Sequence, residues 1–194
     1  MAQQQRDKRS WRAEILARRK ALPVEARAAE AAALAVHAGA LAADWVCAYV
    51  PVGSEPGSLA MLDALRAGGA RVLLPVTGEP GPLEWAEYTG PEGLRRGRFG
   101  LAEPDGPPIA NGITMAAAIL VPALAVDRRG VRLGRGAGYY DRSLNAARAD
   151  ARLIAVVRDD ELVDHLPEES HDHRMGWALT PNGGPHRLGE HTGN

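Results

Sequence analysis

The chain has 194 residues, of which 45% are hydrophobic and 24% are charged, and its formal net charge is −1. This composition excludes disordered, collagen-like and coiled-coil proteins, and the near-neutral charge gives no global attraction to nucleic acid or to an anionic membrane. A chain of this length buries about 70% of its unfolded surface, so we expect one domain over residues 1–194 that needs no disulfides, with a flexible tail over 182–194.

Cysteine usage and hydropathy indicate the cellular compartment of the protein. Cys47 is the one cysteine and lies in an apolar run, which is typical of a small buried hydrophobe in a reducing environment. The segment before Arg6 lacks the apolar stretch of a secretory signal. The longest apolar run, residues 115–126, has 12 residues and contains Pro122, whereas a membrane span needs about 20. These features favour a soluble, cytoplasmic protein without nucleic acid or membrane partners. We also expect it to be a monomer.

Two helices are predicted at the start of the chain. Apolar residues recur at helical spacing up to Leu22, and Pro23 ends this first helix. The alanine-rich stretch from about 24 to 41 predicts a second helix that ends near Gly39.

A strand–helix–strand unit follows. Residues 45–50 form a short apolar run of strand length, and 71–76 form another. Between them, Ser58 can cap a helix that stops at Gly68-Gly69. This alternation favours a parallel sheet, and the continuous apolar strands fit a sheet that is covered on both faces.

The remaining elements are predicted with the same rules. They are an edge strand over 83–88, an irregular excursion over 89–117, a buried strand over 118–124, a helix over about 138–149, a strand over 152–157, one helical turn over 160–166 and a short strand over 177–180.

The segment 127–141 carries the sharpest functional signal, because it joins a buried strand to a helix and ligands of α/β sheets bind at such strand ends. Its glycines allow a close backbone approach, and backbone N–H groups at a helix N-terminus can bind an anion. Arg132 and Arg135 are forked donors suited to phosphate oxygens, and Asp141 is placed to hold Mg²⁺ beside a polyphosphate. The alternative is a solvated turn that binds nothing.

Several standard sites are excluded. The Walker pattern is absent, and the dinucleotide-binding pattern fails because Tyr139 stands at its third glycine position. The sequence has no serine-hydrolase elbow. His171, Asp172 and His173 do not suit a structural zinc site, since such a site needs three or four ligands and the chain has one cysteine, although Asp172 could be an oxygen ligand for Mg²⁺.

Two further groups could face the same ligand. Glu55 follows the first strand and could accept N–H groups from a heterocycle, or it could be an ordinary turn residue. Lys8 and Arg12 stand one helical turn apart, so that they could clamp one anion, or they could belong to a solvated helix face.

The run Arg132-Leu133-Gly134-Arg135-Gly136-Ala137-Gly138-Tyr139-Tyr140-Asp141 closely resembles the signature loop of the 5-formyltetrahydrofolate cyclo-ligase family, also called 5,10-methenyltetrahydrofolate synthetases. The resemblance covers about residues 8–181 and includes the segments 53–58, 100–104 and 171–172. It implies a three-layer α/β sandwich with a mostly parallel central sheet and helices on both faces.

The resemblance also implies a reaction, in which ATP and Mg²⁺ drive cyclisation of 5-formyltetrahydrofolate to 5,10-methenyltetrahydrofolate with release of ADP and phosphate. The formyl oxygen attacks the γ-phosphate, and the second folate nitrogen then displaces phosphate. A non-catalytic folate- or nucleotide-binding relative is the alternative, and a sugar-phosphate or CoA-handling enzyme on a similar sheet is a third hypothesis.

Site residues follow from the same resemblance. It implies catalytic roles for Arg135, Tyr139 and Asp141, and Mg²⁺ ligation by Asp141 and Asp172. It implies ATP contacts for Lys8, Arg9, Arg12, Arg132, Leu133, Gly134, Arg135, Gly136, Ala137, Gly138, Tyr139 and Tyr140. It implies folate contacts for Val50, Glu55, Arg135, Gly136, Ala137, Gly138 and Tyr139.

Overall fold

Two helices open the chain in the computed structural model, which describes residues 6–189. They are α1 (Lys8–Ala21) and α2 (Val24–Gly39), as the sequence predicts. The Asp7 side chain accepts the Ser10 N–H and caps α1, and Leu22 leaves the helical conformation because Pro23 follows it. Two shorter helices follow, α3 (Leu59–Ala67) and α4 (Tyr139–Leu144), and the Ser58 hydroxyl caps α3 as predicted.

Within residues 6–189, twelve strands form three sheets. In chain order they are β1 (Trp45–Cys47), β2 (Arg71–Val76), β3 (Glu84–Tyr88), β4 (Leu94–Arg96), β5 (Ala102–Pro104), β6 (Ala118–Pro122), β7 (Ala125–Asp127), β8 (Arg132–Leu133), β9 (Arg152–Val156), β10 (Leu162–Val163), β11 (Trp177–Thr180) and β12 (Gly184–Arg187). The central sheet has the order β12-β11-β9-β6-β1-β2-β3 and is parallel except for its antiparallel edge strands β3 and β12. A mostly parallel sheet is therefore confirmed.

The two faces of the central sheet are covered unequally. Helices α2 and α3 pack on one face through a core that includes Leu34, Met61 and Leu120. The other face is covered by the 3-10 helix Gly112–Met115, by α4 and by loops, in a second core around Ile119 and Leu144. The three-layer α/β architecture is confirmed, with helices α2 and α3 on one face and the short helix α4 on the other.

The strand order places a crevice between β1 and β6. From β1 the chain moves to β2 on one side, whereas β6, β9 and β11 lie on the other side. In open α/β sheets, loops that leave strands in opposite directions open a gap at the carboxyl edge, and ligands bind there. The segments after β1 and β6 therefore border the expected binding crevice.

A small sheet that the sequence did not reveal supports the loop after β6. Strands β10, β7 and β8 form this sheet, and α1 packs on it through Ile15. The fully buried Asp127 carboxylate accepts the backbone N–H groups of Arg129, Val131 and Leu166 at 2.9, 3.0 and 2.9 Å. One carboxylate therefore fixes the base from which the glycine-rich segment begins.

Four predicted elements differ in the structure. The strand expected over 45–50 ends as β1 at Cys47, and the helix expected over 138–149 covers only 139–144. The chain leaves α4 through tight turns, in which Ala146 and Ala147 donate to carbonyls three residues back. The 89–117 excursion contains the β4–β5 hairpin, and the turn expected over 160–166 is a 3-10 helix followed by β10.

The flexible tail expected over 182–194 is wrong for its first part. Strand β12 pairs antiparallel with β11, and Leu188 is buried in the second core. Residues 190–194 lie outside the described residues. No helix between residues 6 and 189 is long and apolar enough to cross a membrane.

Candidate active site

A cavity of about 450 Å³ opens at the crevice. Its walls come from the segments that follow β1, β2 and β6, from the β4–β5 hairpin, from α1 and from the glycine-rich loop. Most of the predicted site residues line it, namely Lys8, Arg12, Val50, Glu55, Asp172 and the whole run 132–141. The structure thus gathers residues from both ends of the chain around one space.

The glycine-rich loop offers free backbone donors to this cavity. Within residues 6–189, the amide N–H groups of residues 134–138 donate no hydrogen bond to another protein group. Gly136 and Gly138 have φ of 105° and 74°, which residues with a side chain rarely adopt. Arg12 Nε donates to the Gly134 carbonyl at 2.9 Å and holds the loop against α1. Unpaired amides beside a cation form a site for an anion.

Arg132 forms the inner wall beneath this loop. Its guanidinium donates to the Pro122 carbonyl at 2.9 Å and lies 3.5 Å from Asp141 Oδ1. It also lies over the ring of Tyr140, which packs edge-on against Trp85 with 6.4 Å between ring centroids. Burial raises the pKa of Tyr140, so its hydroxyl stays protonated throughout the physiological range. The cation is therefore fixed in place while Asp141 remains partly accessible from the cavity.

Glu55 and Arg135 meet across the cavity. Arg135 Nε lies 3.6 Å from Glu55 Oε1, and Glu55 Oε2 accepts the Val52 N–H at 2.8 Å. Glu55 comes from the loop after β1, and Arg135 comes from the glycine-rich loop. An acid that can accept N–H groups therefore stands beside a cation that can neutralise a phosphate.

Lys8 and Asp172 pair with each other at another part of the wall. Lys8 Nζ lies 2.8 Å from Asp172 Oδ2 and 2.7 Å from Glu169 Oε2. Burial raises the pKa of Asp172, but the hydrogen bonds from Lys8 and from the Glu169 N–H outweigh it and lower that pKa overall. The metal-binding atoms of Glu169, His171 and Asp172 lie within 4.8 Å of one another. Asp172 is thus an ionised carboxylate in a possible cation site, and Asp141 is not part of that group.

Three predicted contact residues offer the cavity less than the sequence suggests. Arg9 is exposed and does not line the cavity, since it faces away from the side of α1 that carries Lys8 and Arg12. The Leu133 side chain is buried in the core around α1 and can offer a ligand only its backbone. Tyr139 is partly exposed at the rim, where the Arg142 guanidinium lies 5.1 Å from its ring centre.

The cavity also contains residues that sequence reasoning did not single out. They are Arg19, Tyr49, Thr77, Phe99 and Glu103, among others. Glu103 lies in the segment 100–104 on which part of the resemblance rests, so that segment was the available signal. The others carry no local motif, and only the fold brings them to the site.

Comparison with known proteins identifies the family. The sequence profile described as the 5-formyltetrahydrofolate cyclo-ligase family matches residues 4–181. The chain belongs to this family. It is 52% identical over 187 residues to a 5-formyltetrahydrofolate cyclo-ligase of Mycolicibacterium smegmatis, which covers 92% of this chain and 96% of that protein. A cyclo-ligase of Escherichia coli K12 is 28% identical over 145 residues, covering 71% of this chain and 78% of that protein.

Solved structures agree with the cyclo-ligase assignment. The structure of Aquifex aeolicus 5,10-methenyltetrahydrofolate synthetase superposes with a TM-score of 0.78 and 25% identity, over 96% of this chain and 95% of that one. A methenyltetrahydrofolate synthetase from Mycoplasma pneumoniae gives a TM-score of 0.70 at 17% identity, over 89% of this chain and 98% of that one, and supports the fold alone. The family resemblance and the fold that it implied are both confirmed.

Proposed function

We propose that this cyclo-ligase family member converts 5-formyltetrahydrofolate to 5,10-methenyltetrahydrofolate, with ATP as co-substrate and release of ADP and phosphate. The observation that carries the proposal is the contact between Glu55 and Arg135. It places the acid assigned to folate and the loop assigned to the phosphates in one cavity. The 52% identity to a named cyclo-ligase over 92% of the chain supports the same reaction.

ATP is assigned to the side of the cavity that carries the cations and the free amides. Loop residues 134–138 offer unpaired N–H groups, and Arg12 and Arg132 flank them. Lys8 is now neutralised by two carboxylates, so it can join the phosphates only by exchanging one of these partners. We therefore assign the loop, Arg12 and Arg132 as the principal phosphate contacts, with Lys8 as an outer contact.

The carboxylates around the phosphate side fit a Mg²⁺ ion. Mg²⁺ prefers oxygen ligands and retains several waters, so that one or two carboxylates are enough to hold it beside phosphates. Asp141 lies at the cavity wall with only a 3.5 Å contact to Arg132, and we assign it as the first ligand. Asp172 is the second candidate, although it is paired with Lys8. The bound ion would offset negative charge on the triphosphate.

The chemistry follows from the need to activate an amide oxygen, which is a poor leaving group. The formyl oxygen attacks the γ-phosphorus as the bond to ADP breaks, and N10 then attacks the formyl carbon. The carbon–oxygen bond breaks, inorganic phosphate leaves and N10 loses its proton. Arg135 and Asp141 are assigned to charge balance during transfer, and Tyr139 at the rim to alignment of the two substrates. Alignment and charge neutralisation are the main contributions that a protein makes to phosphoryl transfer.

We also propose that the protein works as a cytoplasmic monomer without nucleic acid or membrane partners. The fully buried Cys47 and the net charge of −1 agree with this proposal.

The reaction can be tested by mixing purified protein with 5-formyltetrahydrofolate, ATP and Mg²⁺. We expect a rise in near-UV absorbance from the methenyl product and an equal amount of ADP, both abolished when ATP or Mg²⁺ is omitted. Tight folate binding in calorimetry without ADP release would instead identify a non-catalytic binding relative. Turnover of a sugar phosphate or CoA ester without ATP would contradict the proposal.

Replacing Glu55 with glutamine is expected to raise the folate KM by about 10- to 100-fold, since a hydrogen bond to a charged acceptor contributes about 1.5–3 kcal/mol. The ATP KM should change less than about twofold on the same scale. Initial rates with each substrate varied in turn check this. Glu25→Gln, an exposed position in the first turn of α2, is the matched control. A shift in the ATP KM alone would refute the assignment of Glu55.

A further inference from the structure

Glu103 is a buried acid inside the cavity to which neither the reaction nor the family resemblance gives a role. It lies in the middle of β5, opposite Arg95 of β4, and is only 4% exposed. The residue nevertheless lines the cavity together with Thr77. A charged side chain in such a place requires partners, because burying an unpaired carboxylate is strongly unfavourable.

The partners of Glu103 satisfy only one of its two oxygens. Oε1 accepts the Thr77 N–H at 2.8 Å and also the Thr77 hydroxyl. Oε2 accepts no hydrogen bond from residues 6–189, and Glu103 is one of the residues that line the cavity. The Thr77 contacts fix the carboxyl group and leave one oxygen for a donor that enters the cavity.

The other buried acids of this protein are paired with arginine. Glu161 receives two hydrogen bonds from Arg19, and Asp127 receives two from the Arg129 side chain. Glu103 has no cation within salt-bridge distance in the described part of the chain. This difference separates an acid that is available to a ligand from acids that hold the fold together.

The backbone beneath Glu103 is adapted to its position. A Cβ atom on Gly97 would overlap the Glu103 carboxyl group, so a side chain at this position would force that carboxyl group to move. Beyond Gly97, the turn of the hairpin carries Phe99, which is 64% exposed, and Leu101, and both line the same cavity. A cavity lined by an exposed aromatic ring and by a free carboxylate oxygen suits a ligand that has an apolar ring and N–H groups along its edge.

We propose that Glu103 is a second folate-binding carboxylate, whose Oε2 accepts an N–H group of the substrate while Phe99 and Leu101 contact the substrate's ring. The inference rests on the proposed function, because that function supplies a ligand with several N–H donors. It adds the β4–β5 hairpin as a specificity-determining wall of the cavity that the phosphate-binding loop also lines. Glu103 is a binding residue in this scheme and takes no part in bond making.

Glu103→Gln is the most direct test. Glutamine keeps the side-chain shape and an acceptor for Thr77, but it can present an NH₂ group where Oε2 stood. We expect the folate KM, and the Kd measured by calorimetry without ATP, to rise by about 10- to 100-fold, whereas the ATP KM and kcat stay within about twofold. Phe99→Ala should raise the same folate Kd by about 5-fold. Because Phe99 is exposed, this variant tests the wall without disturbing the core.

Two controls make the outcome decisive. Glu92→Gln changes an exposed glutamate in the 3-10 turn before the same hairpin and should match wild type in every constant. If wild type is active and either Glu103→Gln or Phe99→Ala keeps the wild-type folate Kd, this inference is overturned and the proposed function stands. If wild type itself neither turns over nor binds the folate, the proposed function fails. A Glu103→Gln variant that loses only thermal stability would show that the residue is structural.

Discussion

Asp141→Asn is expected to lower kcat by about 100-fold, because removing one preorganised group that stabilises charge in a transition state typically lowers kcat by about that factor. The folate KM should change less than about twofold. A neutral amide is a weaker Mg²⁺ ligand than a carboxylate, and Asp141 is the wall carboxylate beside Arg132 and the glycine-rich loop. The loss should appear at saturating ATP and folate, and raising Mg²⁺ should recover part of it. ADP release and product absorbance, followed across a Mg²⁺ titration, measure both effects.

The matched control for this variant is Asp150→Asn. Asp150 is an exposed aspartate, paired with Arg148 in the turns that follow α4, and does not line the cavity. Its substitution should leave kcat and the Mg²⁺ dependence unchanged. An Asp141→Asn enzyme with wild-type kcat at every Mg²⁺ concentration would remove Asp141 from the mechanism.

Glu161→Gln is expected to destabilise the protein by about 3–5 kcal/mol, since removing one charge of a buried pair strands the other. Arg19 donates to both Glu161 oxygens at 2.7 and 2.8 Å, and both side chains are almost fully buried. Glutamine would leave the guanidinium without its counter-charge beneath the cavity. Urea denaturation measures the free-energy loss, and the melting temperature should fall by about 10 °C.

Glu87→Gln is the surface counterpart of that variant. Arg71 donates to both Glu87 oxygens at 3.0 and 2.6 Å, which is the same two-pronged arrangement in an exposed setting. Solvent screening limits such a pair to about 0–1 kcal/mol, so this loss should be several times smaller. Equal losses from the two variants would show that burial does not decide the strength of the Arg19–Glu161 pair.

Local signals predicted much of the fold. Pro23 ends α1, Ser58 caps α3, and apolar runs mark β2, β6 and β9, because each of these features acts over a few residues. Helix α4 was overestimated, since the alanines after Leu144 favour a helix while the actual chain turns there. Strand β12 was missed because its four residues, Gly184 to Arg187, owe their pairing to β11 and carry no strand pattern of their own.

The candidate site also combines a part that the local sequence predicts with a part that only the fold creates. The glycine-rich loop is continuous in sequence, so its residue types alone indicated an anion site. The contacts behind it join distant segments: Arg19 and Glu161 are 142 positions apart, and Thr77 and Glu103 are 26 apart. Such pairs depend on the order of the strands in the sheets, and no local sequence pattern predicts them.

The hairpin formed by β11 and β12 has a consequence for solubility. Strand β12 is short, contains Pro185 and ends in Arg187, features that discourage another molecule from adding a strand. Loss of residues 184–189 would uncover β11 beside the hydrophobic strand β9 and create a template for intermolecular pairing. Strand β12 thus protects the sheet from self-association. A chain that lacks it should aggregate even though its ligand pocket, which β12 does not line, remains formed.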